Sequence, residues 1–255
     1  MVEGEYQVLA DGWIKIERSD YSVGARHVPS GRMLLGLNQL LLKKENRLIL
    51  IDTGLGDKRT PDDLSLLDCQ YPRKLRSELA RLGIRPVDID IVIFTHLHYD
   101  HSGGGTCRMG DLIAPTFPRA VYYVNETELQ FAMNPAPEGS SDYYRDDFIP
   151  LLEGNRLKIV KGEFEIVKGV TLHPAFGHSP GHQVVRIDLE DETLLFAGDL
   201  ISTRSHANLR LTMTYDNDRT ILLDNRQRWI ENAKAGKWKV VFCHAIRNPV
   251  GLIDG

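Results

Sequence analysis

Three histidines and an aspartate fall within six residues of this chain, in the segment HLHYDH at positions 96–101. The segment directly follows Val87–Phe94, an apolar run rich in Ile and Val that we predict to be a buried strand. Because side chains alternate along an extended segment, His96 and His98 lie on the same side of it. They can therefore bind one ion together. Asp100 and His101, after a turn eased by the nearby glycines, can face a second ion. Burying so many polar groups is costly unless they are paired or bind a metal, so the segment predicts a metal site.

Three further residues of ligand type stand where an apolar strand ends or a Gly/Pro loop runs. These are His178 in GHSPGH, Asp199 in FAGD and His244 after VVFC. Functional residues collect on such loops, although each of the three alone would be a common cap or surface group. With the histidine cluster they complete a set of seven candidate ligands. Imidazole and carboxylate ligands suit zinc, iron or manganese.

Composition limits the classes of function. The chain has 31 Lys and Arg against 35 Asp and Glu, a formal net charge of −4, so it has no overall attraction for nucleic acid or anionic lipid. Its three scattered cysteines are no disulfide framework. We expect no signal peptide, and the apolar runs fall short of the about 20 residues that a membrane span needs. A cytoplasmic protein with no nucleic-acid and no membrane partner is therefore expected.

The length of 255 residues and the even composition predict a single domain over residues 1–255. Period-two and continuous apolar runs predict strands at Leu37–Lys43, Arg47–Asp52, Val87–Phe94, Ala120–Val124, Leu157–Val160, Glu165–Val167, Val170–His173, Val184–Leu189, Thr193–Ala197 and Lys239–Cys243. Helices are predicted over Pro72–Leu82, from an N-cap at Asn125 with Glu128 three residues later to about Met133, and over Thr220–Lys234. A surface loop is expected at residues 134–141. Two sheets with helices outside would accommodate this order.

The chain resembles the metallo-β-lactamase superfamily. The resemblance lies in the HLHYDH segment, in Asp-Thr-Gly at 52–54, and in the order of His178, Asp199 and His244. It covers most of the chain, from residue 37 to residue 244. It implies an α/β fold, an αββα sandwich of two mixed sheets with helices outside, and a metal site at one edge of the two sheets.

The same resemblance implies a role for each candidate ligand. One zinc would be bound by His96, His98 and His178, and a second by Asp100, His101 and His244, with Asp199 and a hydroxide bridging the two. Two zinc ions per chain are thus expected, and iron or manganese is compatible with the same ligands. Asp52 resembles a carboxylate that accepts the N–H of a ligand histidine, and His182 a residue that orients a ligand or its loop. The alternative for Asp52 is an Asp that only starts a turn, and the alternative for His182 is an ordinary loop His.

Two metal ions about 3.5–4 Å apart can hold a hydroxide and lower the pKa of water toward about 7. We expect that hydroxide to attack the carbonyl of a lactone or other ester. Asp100 is the expected catalytic residue, because by resemblance it lies beside the nucleophile and can receive or relay its proton. No serine or cysteine nucleophile is needed.

The segment GHSPGHQ is similar to that of N-acyl homoserine lactone lactonases. Those lactonases carry a Tyr three residues after the bridging Asp, where it helps to hold the substrate carbonyl. Ser202 stands there in this chain, and His206 or Tyr215 is the candidate to replace the missing phenol. The expected partner is a small-molecule ester or lactone, and a homodimer is left open.

Other reactions share these ligands. Glyoxalase II-like thioester hydrolysis and phosphoester hydrolysis are the alternatives, although we expect no helical C-terminal part for glutathione. β-Lactamase activity is disfavoured because the set has His101 and no Cys ligand. The nuclease and flavodiiron branches of the superfamily carry further domains, which we do not expect in 255 residues, so both are disfavoured. A non-enzymatic sensor of metal or ligand is the rival from another class, and the intact set of seven residues argues against it.

Overall fold

A computed structural model describes residues 1–25, 30–60, 74–136 and 142–253. The strands in these ranges are β1 (Tyr6–Glu17), β2 (Arg32–Lys44), β3 (Arg47–Ile51), β4 (Ile91–Ile93), β5 (Thr106–Met109), β6 (Leu112–Pro115), β7 (Val121–Asn125), β8 (Leu157–Val160), β9 (Phe164–Val167), β10 (Val170–Pro174), β11 (Gln183–Asp188), β12 (Thr193–Phe196), β13 (Lys239–Val241) and β14 (Val250–Gly251). The α-helices are α1 (Arg18–Tyr21), α2 (Leu75–Arg81), α3 (Tyr99–Ser102), α4 (Glu126–Met133), α5 (Ile149–Glu153) and α6 (Arg219–Gly236).

Two six-stranded sheets form the centre of the molecule. The first has the order β1-β2-β3-β4-β7-β8 and the second the order β14-β13-β12-β11-β10-β9. Both are mixed: β3, β4, β7 and β8 run parallel in the first sheet, and β12 and β13 run parallel in the second. A separate hairpin joins β5 to β6.

Apolar side chains on alternate strand positions pack the two sheets face to face. Leu40 and Ile51 of the first sheet belong to one buried cluster with Leu172 and Phe196 of the second. The opposite faces are covered by helices. The first sheet packs against α2, α4 and α5 through residues such as Leu79. The second packs its outer face against α6. These four layers confirm the predicted αββα sandwich.

Most predicted strands are present, and the differences have local causes. The strand predicted at Val87–Phe94 is reduced to Ile91–Ile93, because Pro86–Asp88 forms a 3-10 turn instead. Strand β1 was not predicted; a bulge between Ala10 and Gly12 interrupts its alternation. The first two residues of the predicted helix Pro72–Leu82, and residues 137–141 of the predicted loop, lie outside the described residues.

The predicted N-cap of α4 is confirmed, but its partner is not. The Asn125 side chain accepts a hydrogen bond from the Thr127 N–H at 2.9 Å. Glu128 does not close a capping box, because its carboxylate turns into the core and is fully buried. None of the helices in the described part of the chain is long and apolar enough to cross a membrane.

The topology brings several strand ends to one edge. In the first sheet, β3 and β4 are parallel, so their carboxyl ends lie side by side. In the second sheet β10, β12 and β13 share one direction, since β11 is antiparallel to both β10 and β12. Side chains that follow these strands can therefore converge, although they are far apart in sequence.

Candidate metal centre

The seven predicted ligands meet at this edge of the two sheets. Four come from the segment that follows β4 and continues into α3, and three come after β10, β12 and β13. All are buried except Asp100, whose side chain is 12% exposed. The set is His96, His98, Asp100, His101, His178, Asp199 and His244.

The first ligand group, as we call His96, His98 and His178, has its donor atoms within 4.8 Å of one another. Nε2 of His178 lies 3.2 Å from Nδ1 of His98. It also lies 3.2 Å from Oδ2 of Asp199. Nε2 of His96 is buried and has no hydrogen-bond partner among the described residues. An unpaired buried nitrogen is costly, so Nε2 of His96 is placed to bind an ion.

The second ligand group, as we call Asp100, His101 and His244, lies on the other side of Asp199. Nε2 of His244 is 3.0 Å from Oδ1 of Asp199 and 3.5 Å from Oδ2 of Asp100. Nε2 of His101 is 3.3 Å from Nε2 of His244 and 3.5 Å from Oδ1 of Asp199. The two oxygens of Asp199 thus face different groups.

These separations fit metal coordination. Bonds of about 2.0–2.1 Å from zinc to nitrogen or oxygen, arranged as a tetrahedron, place neighbouring ligand atoms about 3.3–3.4 Å apart. The observed separations run from 3.0 Å, for His244 and Asp199, to 3.7 Å, for His101 and Asp100. Neutral imidazoles and carboxylates are also the donor types that zinc, iron and manganese accept. The residues present therefore fit a pair of divalent ions.

The histidines differ in the direction of their pKa shifts. Burial, reinforced by neighbouring histidines, holds the pKa of His96 and His98 well below the usual value. Burial also opposes protonation of His101, but the charges of Asp100 and Asp199 outweigh it and raise its pKa well above the usual value. The pKa values of His178 and His244 are raised for a similar reason.

Carboxylates behind two of the ligands fix their orientation. Nδ1 of His101 is 2.8 Å from Oδ2 of Asp52, which also accepts a hydrogen bond from the Thr95 hydroxyl at 2.8 Å. Nδ1 of His178 is 2.9 Å from Oδ1 of Asp216. When a ring nitrogen donates to a carboxylate in this way, the other nitrogen is left to face the ion. Asp52 occupies the place predicted for it; Asp216 was missed.

His182 lies behind the cluster. Its Nε2 accepts a hydrogen bond from the backbone N–H of Asp199 at 3.0 Å, and its Nδ1 is 3.2 Å from the carbonyl oxygen of Ala175. Burial, with His178 nearby, lowers the pKa of His182 to about 3. Gly198 permits this contact, because it has a φ of +51° and a Cβ there would lie 2.6 Å from Nε2 of His182. Both nitrogens of His182 are therefore engaged, whereas Nε2 of His178 faces the cluster.

Two adjoining clefts open over the ligands. The larger, about 310 Å³, is lined by His98, Tyr143, His178 and Tyr215 among others. The smaller, about 110 Å³, reaches Asp100, Asp199 and His244. Tyr215 lines both clefts and is 36% exposed. Its ring lies edge-on to His178, with the ring centroids 6.0 Å apart.

The other two predicted substrate residues lie deeper. Ser202 is fully buried and accepts a hydrogen bond from the Tyr21 hydroxyl at 2.6 Å. His206 is 1% exposed, with Nδ1 2.9 Å from the Thr203 hydroxyl and Nε2 3.2 Å from the Tyr21 carbonyl oxygen. Ser202 and His206 are thus buried and line neither of the two clefts that Tyr215 lines. Tyr21, on the short helix α1, was not singled out from the sequence.

Sequence reasoning missed the roles of three residues near the centre, Asp216 among them. Asp216 directly follows Tyr215 in the sequence, and this proximity was the available signal. Cys243 directs its thiol toward Oδ1 of Asp199 at 3.1 Å; burial and the Asp199 charge raise its pKa well above the usual value, so it is a hydrogen-bond donor rather than a thiolate. Glu128 was interpreted as a helix cap. Burial raises its pKa, although four hydrogen bonds oppose that shift.

Comparison with known proteins gives a family match. A model of the metallo-β-lactamase superfamily matches residues 34–244. The N-acyl homoserine lactonase AiiA of Bacillus thuringiensis subsp. kurstaki is 30% identical over 179 residues, which cover 66% of this chain and 65% of that protein. The chain therefore matches slightly less than two thirds of the length of this curated relative.

Solved structures extend the similarity to nearly the whole chain. A probable metal-dependent hydrolase from Staphylococcus aureus has a TM-score of 0.86 at 22% identity, covering 96% of this chain and 91% of that one. An N-acyl homoserine lactone hydrolase, with the product N-hexanoyl-L-homoserine bound at its catalytic metal centre, has a TM-score of 0.79 at 25% identity. It covers 97% of this chain and 96% of that one.

Proposed function

Because the chain belongs to the metallo-β-lactamase superfamily, we propose that it is a hydrolase that uses two metal ions to open a lactone or cleave a related ester. The observation that carries this proposal is the position of Asp199 between the two ligand groups. Its Oδ2 lies 3.2 Å from Nε2 of His178 and its Oδ1 lies 3.0 Å from Nε2 of His244. One carboxylate can thus contribute a ligand to each of two ions.

His96, His98 and His178 would hold one ion, and Asp100, His101 and His244 the other. Zinc fits the nitrogen-rich first group best, and iron or manganese is compatible with both. When bound, such a pair lowers the pKa of water and polarises a carbonyl oxygen.

The protein's own residues then orient the reaction. Asp100 is the most exposed member of the cluster and lines the smaller cleft, so its carboxylate can take the proton of the attacking water. Tyr215 lines both clefts, and we assign it contact with the substrate. Ser202 and His206 contact Tyr21 and line neither cleft, so we assign them no contact with the substrate.

Lactones rank first among substrates because relatives in the family are named as N-acyl homoserine lactonases. The test is turnover of a panel of acyl homoserine lactones and simple lactones against glutathione thioesters and phosphoesters. Lactone hydrolysis should be fastest, and the product carboxylate should gain one oxygen from ¹⁸O-labelled water in a single turnover.

Asp100→Asn supplies the matched variant, because the amide keeps the shape of the side chain but cannot take the proton. Turnover should fall steeply while the circular dichroism spectrum stays unchanged. Turnover of thioesters alone would overturn the lactone assignment and keep the two-metal mechanism. Unchanged turnover in Asp100→Asn on every active substrate would overturn the mechanism.

A further inference from the structure

Glu128 places a carboxylate inside the protein with no cation beside it. It lies in the first turn of α4 and is fully buried. Among the described residues, no basic side chain forms an ion pair or hydrogen bond with it. A buried charge of this kind is tolerated only when hydrogen-bond donors surround it. The identity of those donors indicates what the residue does.

Four donors meet this carboxylate, two at each oxygen. Oε1 accepts from the backbone N–H of Leu97 at 2.9 Å and from the Tyr143 hydroxyl at 3.1 Å. Oε2 accepts from the Ser179 hydroxyl at 2.6 Å and from the backbone N–H of Gly181 at 3.0 Å. An ionised carboxylate offers about four acceptor positions, so all of them are used.

Three of the four donors belong to the segments that carry the first ligand group, and the fourth, Tyr143, packs against one of its members. Leu97 lies between His96 and His98. Ser179 directly follows His178. The Tyr143 ring packs edge-on against His98, with the centroids 4.8 Å apart. Each oxygen of Glu128 thus holds a different ligand segment.

The GHSPGH loop, which carries His178, is also in close contact with the start of α4. A Cβ on Gly181 would lie 2.0 Å from the backbone nitrogen of Glu128. Only glycine permits this approach, which lets the Gly181 N–H reach the carboxylate. The GHSPGH loop is therefore built to dock on Glu128 as well as to present His178.

We propose that Glu128 is a positioning residue that sets the separation of His98 and His178, whose facing nitrogens are 3.2 Å apart. One planar carboxylate ties together two segments that lie far apart in the chain. The inference rests on the metal ligands of the proposed function, and it concerns the first ligand group alone.

Glutamine cannot replace this carboxylate. Its amide keeps one acceptor oxygen, and its NH₂ group offers only donors. In one orientation the NH₂ faces the N–H of Gly181, and in the other it faces the N–H of Leu97. In either orientation, one of the two ligand segments loses the hydrogen bond from its backbone N–H, and that N–H faces another donor. Both orientations are therefore destabilising.

The experiment compares Glu128→Gln with Glu126→Gln. Glu126 lies in the same turn of α4, but its side chain is 39% exposed and pairs with Lys161 at the surface. Zinc affinity is measured by chelator competition, and cobalt-substituted protein is followed by its visible absorption. Glu128→Gln should weaken zinc binding at one of the two sites by about 10–100-fold, as loss of support behind a ligand does elsewhere. Glu126→Gln should match the wild type.

The cobalt spectrum identifies the affected site. With one equivalent of cobalt, Glu128→Gln should show the spectrum of His178→Ala, because both disturb the first group. A purely structural role predicts a lower melting temperature of the metal-free protein with unchanged affinity at both sites, and that result would overturn the inference. Equal weakening of both sites would overturn it too.

Milder variants apply if Glu128→Gln does not fold. Tyr143→Phe and Ser179→Ala each remove one donor and keep the carboxylate, and each should weaken the same site by a smaller factor. Unchanged affinity in both overturns the inference. A wild-type chain that binds no metal would refute the proposed function itself, whereas a metal-binding wild type with unaffected variants refutes only the role of Glu128.

Discussion

The two ligand groups share Asp199 but differ in charge. The first contains imidazoles alone; burial and neighbouring histidines lower the pKa values of His96 and His98, and only the pKa of His178 is raised, because Asp199 and Asp216 outweigh burial. The second contains Asp100, and the pKa values of His101 and His244 are raised because nearby carboxylates outweigh burial. A metal entering the first group competes with protons chiefly at His178, whereas one entering the second competes with protons at both His101 and His244.

The groups also differ in how they are supported. Asp52, directly after β3, orients His101, which lies in α3. His178 depends on Asp216, from a distant loop, and its neighbours depend on Glu128, from a helix. The second group is thus supported by the residue that follows β3, and the first by a distant loop and by helix α4.

Asp199→Ala should have the largest effect, because this residue is the one that both groups share. We expect metal affinity to fall at both sites and turnover to fall by more than the about 10–100-fold typical of residues behind the ligands. Metal titration and steady-state kinetics check this. Loss at one site only would contradict the position of Asp199 between the groups.

His178→Ala and His182→Ala separate the two histidines of GHSPGH. His178→Ala should lose the metal of the first group. His182→Ala should keep both metals and lose about 10–100-fold in activity or affinity, because its nitrogens serve Asp199 and Ala175 instead. Elemental analysis of both variants measures the bound metal. Equal loss of metal in both would contradict the assignment of His178, and not His182, as the ligand.

Asp52→Asn and Asp216→Asn compare the two supporting carboxylates directly. Each should lower metal affinity by about 10–100-fold, Asp52→Asn at the second group and Asp216→Asn at the first. Cobalt spectra of the half-loaded variants report which site is weakened. The comparison fails if both substitutions weaken the same site.

Acid should weaken the second site before the first. The second group has two ligands with raised pKa values, His101 and His244, and the first has only His178, so protons compete with metal at more ligands of the second group as the pH falls. Chelator competition at a series of pH values should give a steeper loss of affinity for the second site. Parallel losses at the two sites would contradict the charge difference.

Tyr215→Phe should have the smallest effect. The phenyl ring keeps the packing on His178, and only a hydrogen bond to the substrate is lost, worth about 1 kcal/mol. KM for a lactone should rise about 5-fold while metal content stays unchanged. Ser202→Ala is the comparison, since the Ser202 hydroxyl is buried and contacts Tyr21. This variant should change KM less than Tyr215→Phe does.

Local patterns in the sequence predicted what adjacent residues determine. The HLHYDH segment marked four ligand candidates because they follow one strand, and the apolar runs marked most strands of both sheets. Asp216 and Glu128 were not predicted, because their roles depend on contacts with His178 and Leu97, which are distant in the chain. The capping-box pattern gave the wrong role for Glu128. An acidic residue three positions after an N-cap fits that pattern whether its side chain caps the helix or is buried.

The central claim is that two ion sites share Asp199, and the metal content of the purified protein tests it most directly. Elemental analysis after expression in zinc-supplemented medium should find two metal ions per chain in the wild type. The Asp199→Ala variant, purified in parallel, should retain clearly less metal. Trace metal in the wild type, or an unchanged content in Asp199→Ala, would contradict the account.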